Sequence, residues 1–239
     1  MASFKNILVV VDSSQSEQRA LQRAMRLAEH GSVKLQLVDV LPDVSFTVRL
    51  LSHDYVHIHE LLIKEKQEQL QKLVEQCQAH GIEATGQVLT GVSSQVTIEL
   101  AQRIGADLIV RATKGSNSRQ TGNLGTSSQK LIQRLPCAIW LANTEHEPDC
   151  KVIVATVDAS PGDEPHRRLN QQIMRTATSL AARERAKLRV CYVWSLYGAE
   201  MLSHRMPASE FQGLLEFNRQ QHRESFEALL SEYDLHANG

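Results

Sequence analysis

The sequence predicts an α/β fold, a doubly wound parallel five-stranded sheet followed by a partial second copy of the same unit. Three observations predict it. Short β-branched runs alternate with longer amphipathic stretches between residues 7 and 142, an order that calls for right-handed crossovers and a parallel sheet covered on both faces. Residues 5–14, KNILVVVDSS, realign without gaps to residues 151–160, KVIVATVDAS, at an offset of 146 positions. That period is a whole domain, well above a solenoid unit. Finally, 239 residues with 42% hydrophobic and 22% charged side chains are enough for one to two cores that need no metal or disulfide staple.

The elements follow in order. Residues 7–11 are too short for a helix and rich in β-branched side chains, so they read as a strand buried on both faces. Ser14 and Glu17 have capping-box spacing ahead of apolar Leu21, Ala24, Leu27 and Ala28, with Gly31 as the stop. A second strand, 35–41, leads through Pro42 to a long helix carrying Ile58, Leu61, Leu62, Leu73, Val74 and Cys77 and ended by Gly81. Strand three is 84–89. Ser93 and Ser94 are the expected cap of a helix bearing Val96, Leu100, Ala101 and Ile104, closed by Gly105. Strand four is 107–112, the last helix 126–135, and strand five 137–142 after Pro136.

Domain one is expected at 1–145 and domain two at 151–239, joined by the polar linker 143–149. The second copy predicts strands at 152–157 and 188–195 and helices at about 166–184 and 208–233. It spans 89 residues against a period of 146, so the expectation is a truncated copy, or one whose sheet is completed by a partner because its first strand would normally be interior.

Several functions are disfavoured. With 26 Lys plus Arg against 27 Asp plus Glu, the net charge of −1 gives no global field for nucleic acid or an anionic bilayer. The longest apolar run, 137–142, is far short of the roughly 20 residues that cross a membrane. A cytoplasmic protein without membrane or nucleic-acid partners is expected. Cys77, Cys137, Cys150 and Cys191 lack CxxC spacing and read as buried thiols in a reducing compartment. No Gly-x-Ser-x-Gly elbow or Walker loop is present.

An open doubly wound sheet binds ligands at the carboxyl ends of its strands, where strand order reverses. This directs attention to Asp12, to residues 39–41, and to the loop after Ala112. Gly115 and Gly125 enclose nine residues there, and the chain then closes on a helix start. The amides of Gly125, Thr126 and Ser127 suit a phosphate, with hydroxyls as further donors or a magnesium ligand and with Lys114 and Arg119 adding positive charge. The competing reading is structural: Gly125-Thr126 as a plain helix start, and Gly115, Asn117 and Gly122 as surface-turn residues.

The remaining candidates are weaker. Asp12 and Asp158, each two residues before a Ser, equally suit local turns from strand to helix. His53, His57 and His59 allow a weak metal site, though a solvated segment fits them better. His166, His204 and His222 read as surface residues, and residues 64–68, KEKQE, as a solvated helix face. Met201 and Trp194 fit a core or subunit contact better than an apolar ligand.

Taken in order, Val11-Asp12-x-Ser14, Asp107-Leu108-Ile109-Val110, Gly115-x9-Gly125-Thr126 and Leu135-Pro136-Cys137-Ala138-Ile139-Trp140 resemble the universal stress protein family. The tandem arrangement is similar to its two-domain E type. The resemblance implies the adenine-nucleotide alpha-hydrolase-like fold and a cytoplasmic stress-response regulator, expected as a homodimer; dimerisation through strand five or the open edge of copy two belongs to the interaction-protein alternative below. It implies ATP with magnesium as the ligand of domain one, held by Asp12, Val40, Gly115, Gly125, Thr126 and Ser127. Ala112 stands where the family pattern has its first glycine; if that position needs positive φ, its Cβ costs about 1 kcal/mol or more. A slow Mg-dependent ATPase and a nucleotide-free dimeric interaction protein are the alternatives, and no residue stands out as a general base.

Overall fold

A computed structural model of the chain describes residues 4–29, 31–43, 53–113, 125–143, 150–161 and 164–235. They fall in two compact units, one within Ser3–Pro148 and one within Asp149–Gly239.

The first unit runs β1 (Asn6–Val11), α1 (Arg19–Ala28), β2 (Lys34–Leu41), α2 (His53–Ala79), β3 (Glu83–Thr90), α3 (Ser93–Ile104), β4 (Leu108–Ala112), α4 (Thr126–Arg134) and β5 (Ala138–Ala142). The sheet is parallel throughout, in the order β3-β2-β1-β4-β5. The connections therefore change direction between β1 and β4, which makes the carboxyl ends of those strands the switch point.

Period-two alternation sorts the strand residues by face. Leu8, Val38 and Ile109 pack with Leu100 and Ala101 of α3 in one layer, flanked by Val10, Val40 and Ile139. On the opposite face, Arg23 of α1 lies over the Trp140 ring at 4.2 Å, joining α1 to β5. α2 covers β3 on that same face so closely that a Cβ on Gly86 would come within 2.8 Å of Val74 Cγ2 and 3.1 Å of Leu70 Cγ.

Two expected caps are not used. α1 begins at Arg19 with Gln18 at the N-cap and no side-chain cap bond, because Ser14 turns back to its own turn and Oγ donates to Asp12 Oδ1 at 2.5 Å. α3 likewise starts from Val92 without a side-chain cap, and Ser94 is buried. Its other end is as expected: Gly105 closes it at φ 61°, a conformation glycine enters without a Cβ penalty.

The second unit comprises β6 (Val152–Val157), α5 (Glu164–Glu184), β7 (Lys187–Tyr192), α6 (Ala199–Arg205) and α7 (Ala208–Ser231). β6 and β7 pair in parallel. The short α6 was not anticipated, and β7 ends earlier than the expected residue 195. Ala155, Val157, Met174, Ala177 and Leu229 form its core, with Ile153, Leu188, Val190 and Tyr192 packed against it. The other face of this sheet is bare among the described residues. Val154, aligned with Leu8 in the repeat, is 58% exposed where Leu8 is 0%, since no counterpart of α3 or α4 covers it.

That bare face also corrects the cysteine expectation. All four thiols are free and Cys77 is buried, but Cys191 is exposed on β7. Burial pushes the Cys77 thiol up to about 11.

Candidate functional site

The carboxyl ends of β1 and β2 converge on a polar network with Lys66 at its centre. Lys66 rises from α2, and its Nζ donates to Asp12 Oδ1 at 2.6 Å and to Asp39 Oδ2 at 2.9 Å. Ser13 donates to the same Asp39 oxygen through its backbone N at 2.7 Å and its Oγ at 2.6 Å. The side chains of Lys66 and Asp39 are only 14% and 5% exposed. Burial pulls the Lys66 ammonium down, but its hydrogen bonds to Asp12 and then Asp39, with their charges, outweigh it and leave the pKa above that of an ordinary lysine.

The solvated-face reading of residues 64–68 is therefore wrong for Lys66. The signal was in the spacing: Lys66, Leu70, Val74 and Cys77 share one helical stripe, and the last three are buried. Reading the segment by composition alone concealed a cation on a core-facing stripe.

Asp12 sits where it was expected, at the mouth of β1, yet its carboxylate already serves the protein. Ser14 N and Oγ donate to Oδ1 alongside Lys66, and the Gln18 amide caps the Asp12 carbonyl at 2.6 Å. The turn-forming role weighed for the Asp-x-Ser pattern is thus present. The second unit repeats it, with Ser160 N and Oγ donating to Asp158 Oδ1 at 3.1 and 2.6 Å. The Ser160 hydroxyl bond, ahead of a smaller burial effect, lowers the Asp158 pKa.

Val40 flanks the core layer near the end of β2. Ala112 and Thr113 close β4, and Thr113 N donates to Ala142 O at 2.9 Å. Gly125 then precedes α4 with φ −60° and no side-chain cap bond. A Cβ built there would meet nothing nearer than Thr113 O at 3.9 Å, which places the start of α4 beside the end of β4. Thr126 is exposed and Ser127 half-buried. Gly115, Lys114 and Arg119 lie outside the described residues, as does the His53 side chain of the proposed histidine cluster; among the described residues no group of three or more His, Cys, Asp and Glu could hold a metal. A shallow hollow lined by Asn6, Lys34, Gln36, Glu83 and Thr85 opens at the amino ends of the strands, away from this chemistry.

His222 departs from its surface reading. Its Nδ1 lies 2.6 Å from Tyr192 Oη, and its ring stacks on Trp194 with centroids 4.8 Å apart. Met201 is more than half exposed.

A parallel sheet of this order, with polar groups gathered at the switch point, defines a class of α/β protein that holds ligands in the crevice at the carboxyl ends of its strands. The sequence pattern of the universal stress protein family matches residues 3–143, and the chain belongs to that family. A Staphylococcus aureus protein named for the family is 30% identical over 162 residues, covering 65% of this chain and 95% of its own length; a Staphylococcus epidermidis one is 29% identical over 154 residues, covering 62% and 90%. The Lactobacillus plantarum universal stress protein UspA superposes with a TM-score of 0.54 at 20% identity, over 59% of this chain and 99% of that one. A Pseudomonas aeruginosa structure named for the same family gives 0.71 at 22% identity over 98% of this chain and 71% of that one, so the fold likeness extends through the second unit. Among the described residues no helix is long and apolar enough to cross a membrane.

Proposed function

We propose that the chain is a cytoplasmic stress-response regulator whose first unit is a non-catalytic nucleotide-holding module, with ATP and magnesium as its ligand. The observation that carries this reading is the start of α4 at Gly125 beside the end of β4 at the switch point, where amides and the helix dipole favour a phosphate. In this reading Gly125, Thr126 and Ser127 hold the phosphates, together with Gly115. Asp12 meets the ribose and the Val40 backbone meets the base. Lys66 cancels one of the two carboxylate charges near the triphosphate, and magnesium supplies further neutralisation. The same ion pairs favour binding over turnover: Asp12 and Asp39 are both engaged by Lys66, and a carboxylate so held is a poor general base.

Calorimetry of the full chain with Mg-ATP tests the proposal. Binding is expected, with loss of at least tenfold in affinity on Gly125→Val, a change the local backbone and space accept. Ala112→Gly is expected to strengthen it, and release of phosphate from ATP should stay at background. Absence of binding at millimolar Mg-ATP would refute the reading, and turnover that depends on Thr126 would move it to the slow ATPase. The bare face of β6 and β7, with Val152 46% and Val154 58% exposed, favours a second reading beside it, a homodimeric interaction protein.

A further inference from the structure

We infer that Arg111 forms an anion site at the carboxyl end of β4 that takes a phosphate-type oxyanion. Arg111 pairs in register with Val10 of β1 and Leu141 of β5. Two residues beyond Ile109, it points to the same face of the sheet, the layer filled by Leu100 and Ala101 of α3. Its Nε and Nη1 are enclosed, and among the described residues neither has a hydrogen-bond partner. An arginine stays charged in proteins, so although Arg111 as a residue is only half-buried, two guanidinium nitrogens enclosed without an acceptor are a standing cost that a ligand oxyanion would remove.

The nearest acid along the chain, Asp107, stands at the opposite, amino end of β4, where its carboxylate accepts from the Lys5 and Asn6 backbone amides. Residues 108–143 contain Arg111, Lys114, Arg119, Lys130 and Arg134 and not one Asp or Glu, although the whole chain has a net charge of −1. Whatever course residues 114–124 take, they bring no carboxylate. Asp39, in register with Val11, belongs to the opposite face and is already bound to Lys66 and Ser13. Glu99, the acidic residue of α3, is exposed.

A second orphan lies in the same layer. Thr97 is 0% exposed, and its Oγ1 has no hydrogen-bond partner among the described residues. It shares the inward face of α3 with Leu100 and Ala101, one turn nearer the helix start. The enclosed nitrogens of Arg111 and the buried Thr97 hydroxyl, donors without acceptors among the described residues on the same side of the sheet, fit an oxyanion better than they fit a closed core. The planar guanidinium fork selects phosphate or sulfate over a simple halide.

The carrier of the oxyanion rests on the nucleotide reading above; the anion site does not. The test compares the full wild-type chain with Arg111→Met at constant ionic strength, probing with inorganic phosphate, adenosine and ATP. Phosphate should raise the wild-type melting temperature, and Arg111→Met should abolish that rise while melting higher than wild type in phosphate-free chloride buffer. ATP affinity should fall at least tenfold in the variant, with adenosine affinity unchanged. Should Arg111→Met not fold, Arg111→Lys is read in the same way and is expected to keep only part of the phosphate response. A phosphate response equal in wild type and variant, or none in wild type, overturns the inference. ATP bound equally tightly by both proteins leaves the nucleotide reading standing and removes Arg111 from it. A phosphate response lost with Arg111, in a protein that binds neither adenosine nor ATP, leaves the anion site standing without the nucleotide.

Discussion

Lys66 ties three elements together through one ammonium, and its contribution has a definite pH range. Because its pKa is raised in the folded protein, the stabilisation is fully present below the unfolded value of 10.5 and is lost as pH rises through the higher folded value. Lys66→Met leaves two carboxylates facing each other without a cation. Breaking a buried pair costs roughly 3–5 kcal/mol, and with Asp12 still a third exposed the expected loss is about 2 kcal/mol. Guanidinium denaturation at pH 8 measures that loss. Repeating it between pH 9 and 11.5 should show the wild type falling toward the variant, and parallel curves would remove the ion pair from the stability of this unit. Of the candidate site, Asp12, Val40 and the α4 start were legible as positions because strand ends and glycines mark the chain. Lys66, Arg111 and the Tyr192–His222 contact were not, since each depends on which face a side chain takes once strands are in register.

At the scale of elements, the helix and strand order could be read from periodicity almost throughout, and the misreadings sit where side chains chose tertiary partners over local ones. Ser14 was assigned to a capping box, but its hydroxyl completes the Asp12 turn instead, so α1 starts four residues after the expected cap was to have begun it. The contact of α2 with β3 depends on a missing side chain. Gly86→Val places carbon where Val74 and Leu70 already lie, and overpacking of this kind costs about 1–3 kcal/mol. A lowered melting temperature of the first unit, with Gly86→Ala intermediate, is the expected result by calorimetry; an unchanged value would mean that α2 can ride outward freely.

For the whole molecule, the internal repeat is the most informative line of the sequence, because one alignment revealed both the strand core and its second use. Yet identical patterns lead to different environments. Leu8 and Val154 occupy the same repeat position, and only the first meets a helix layer. If the homodimer reading is right, light scattering of the full chain should give about twice its 26.8 kDa, and Val154→Lys should return it to the single mass. A monomer at all concentrations, or a dimer indifferent to that change, would place the contact elsewhere.

The position of Lys66 along α2 has a mechanical consequence. It lies midway between His53 and Ala79. Behind it, Leu70, Val74 and Cys77 are locked into the core, whereas ahead of it Ile58, Leu61 and Leu62 are about half exposed. The ammonium thus works as an electrostatic rivet at the root of a leading half about 20 Å long, whose apolar side chains among the described residues have little of the core to hold them.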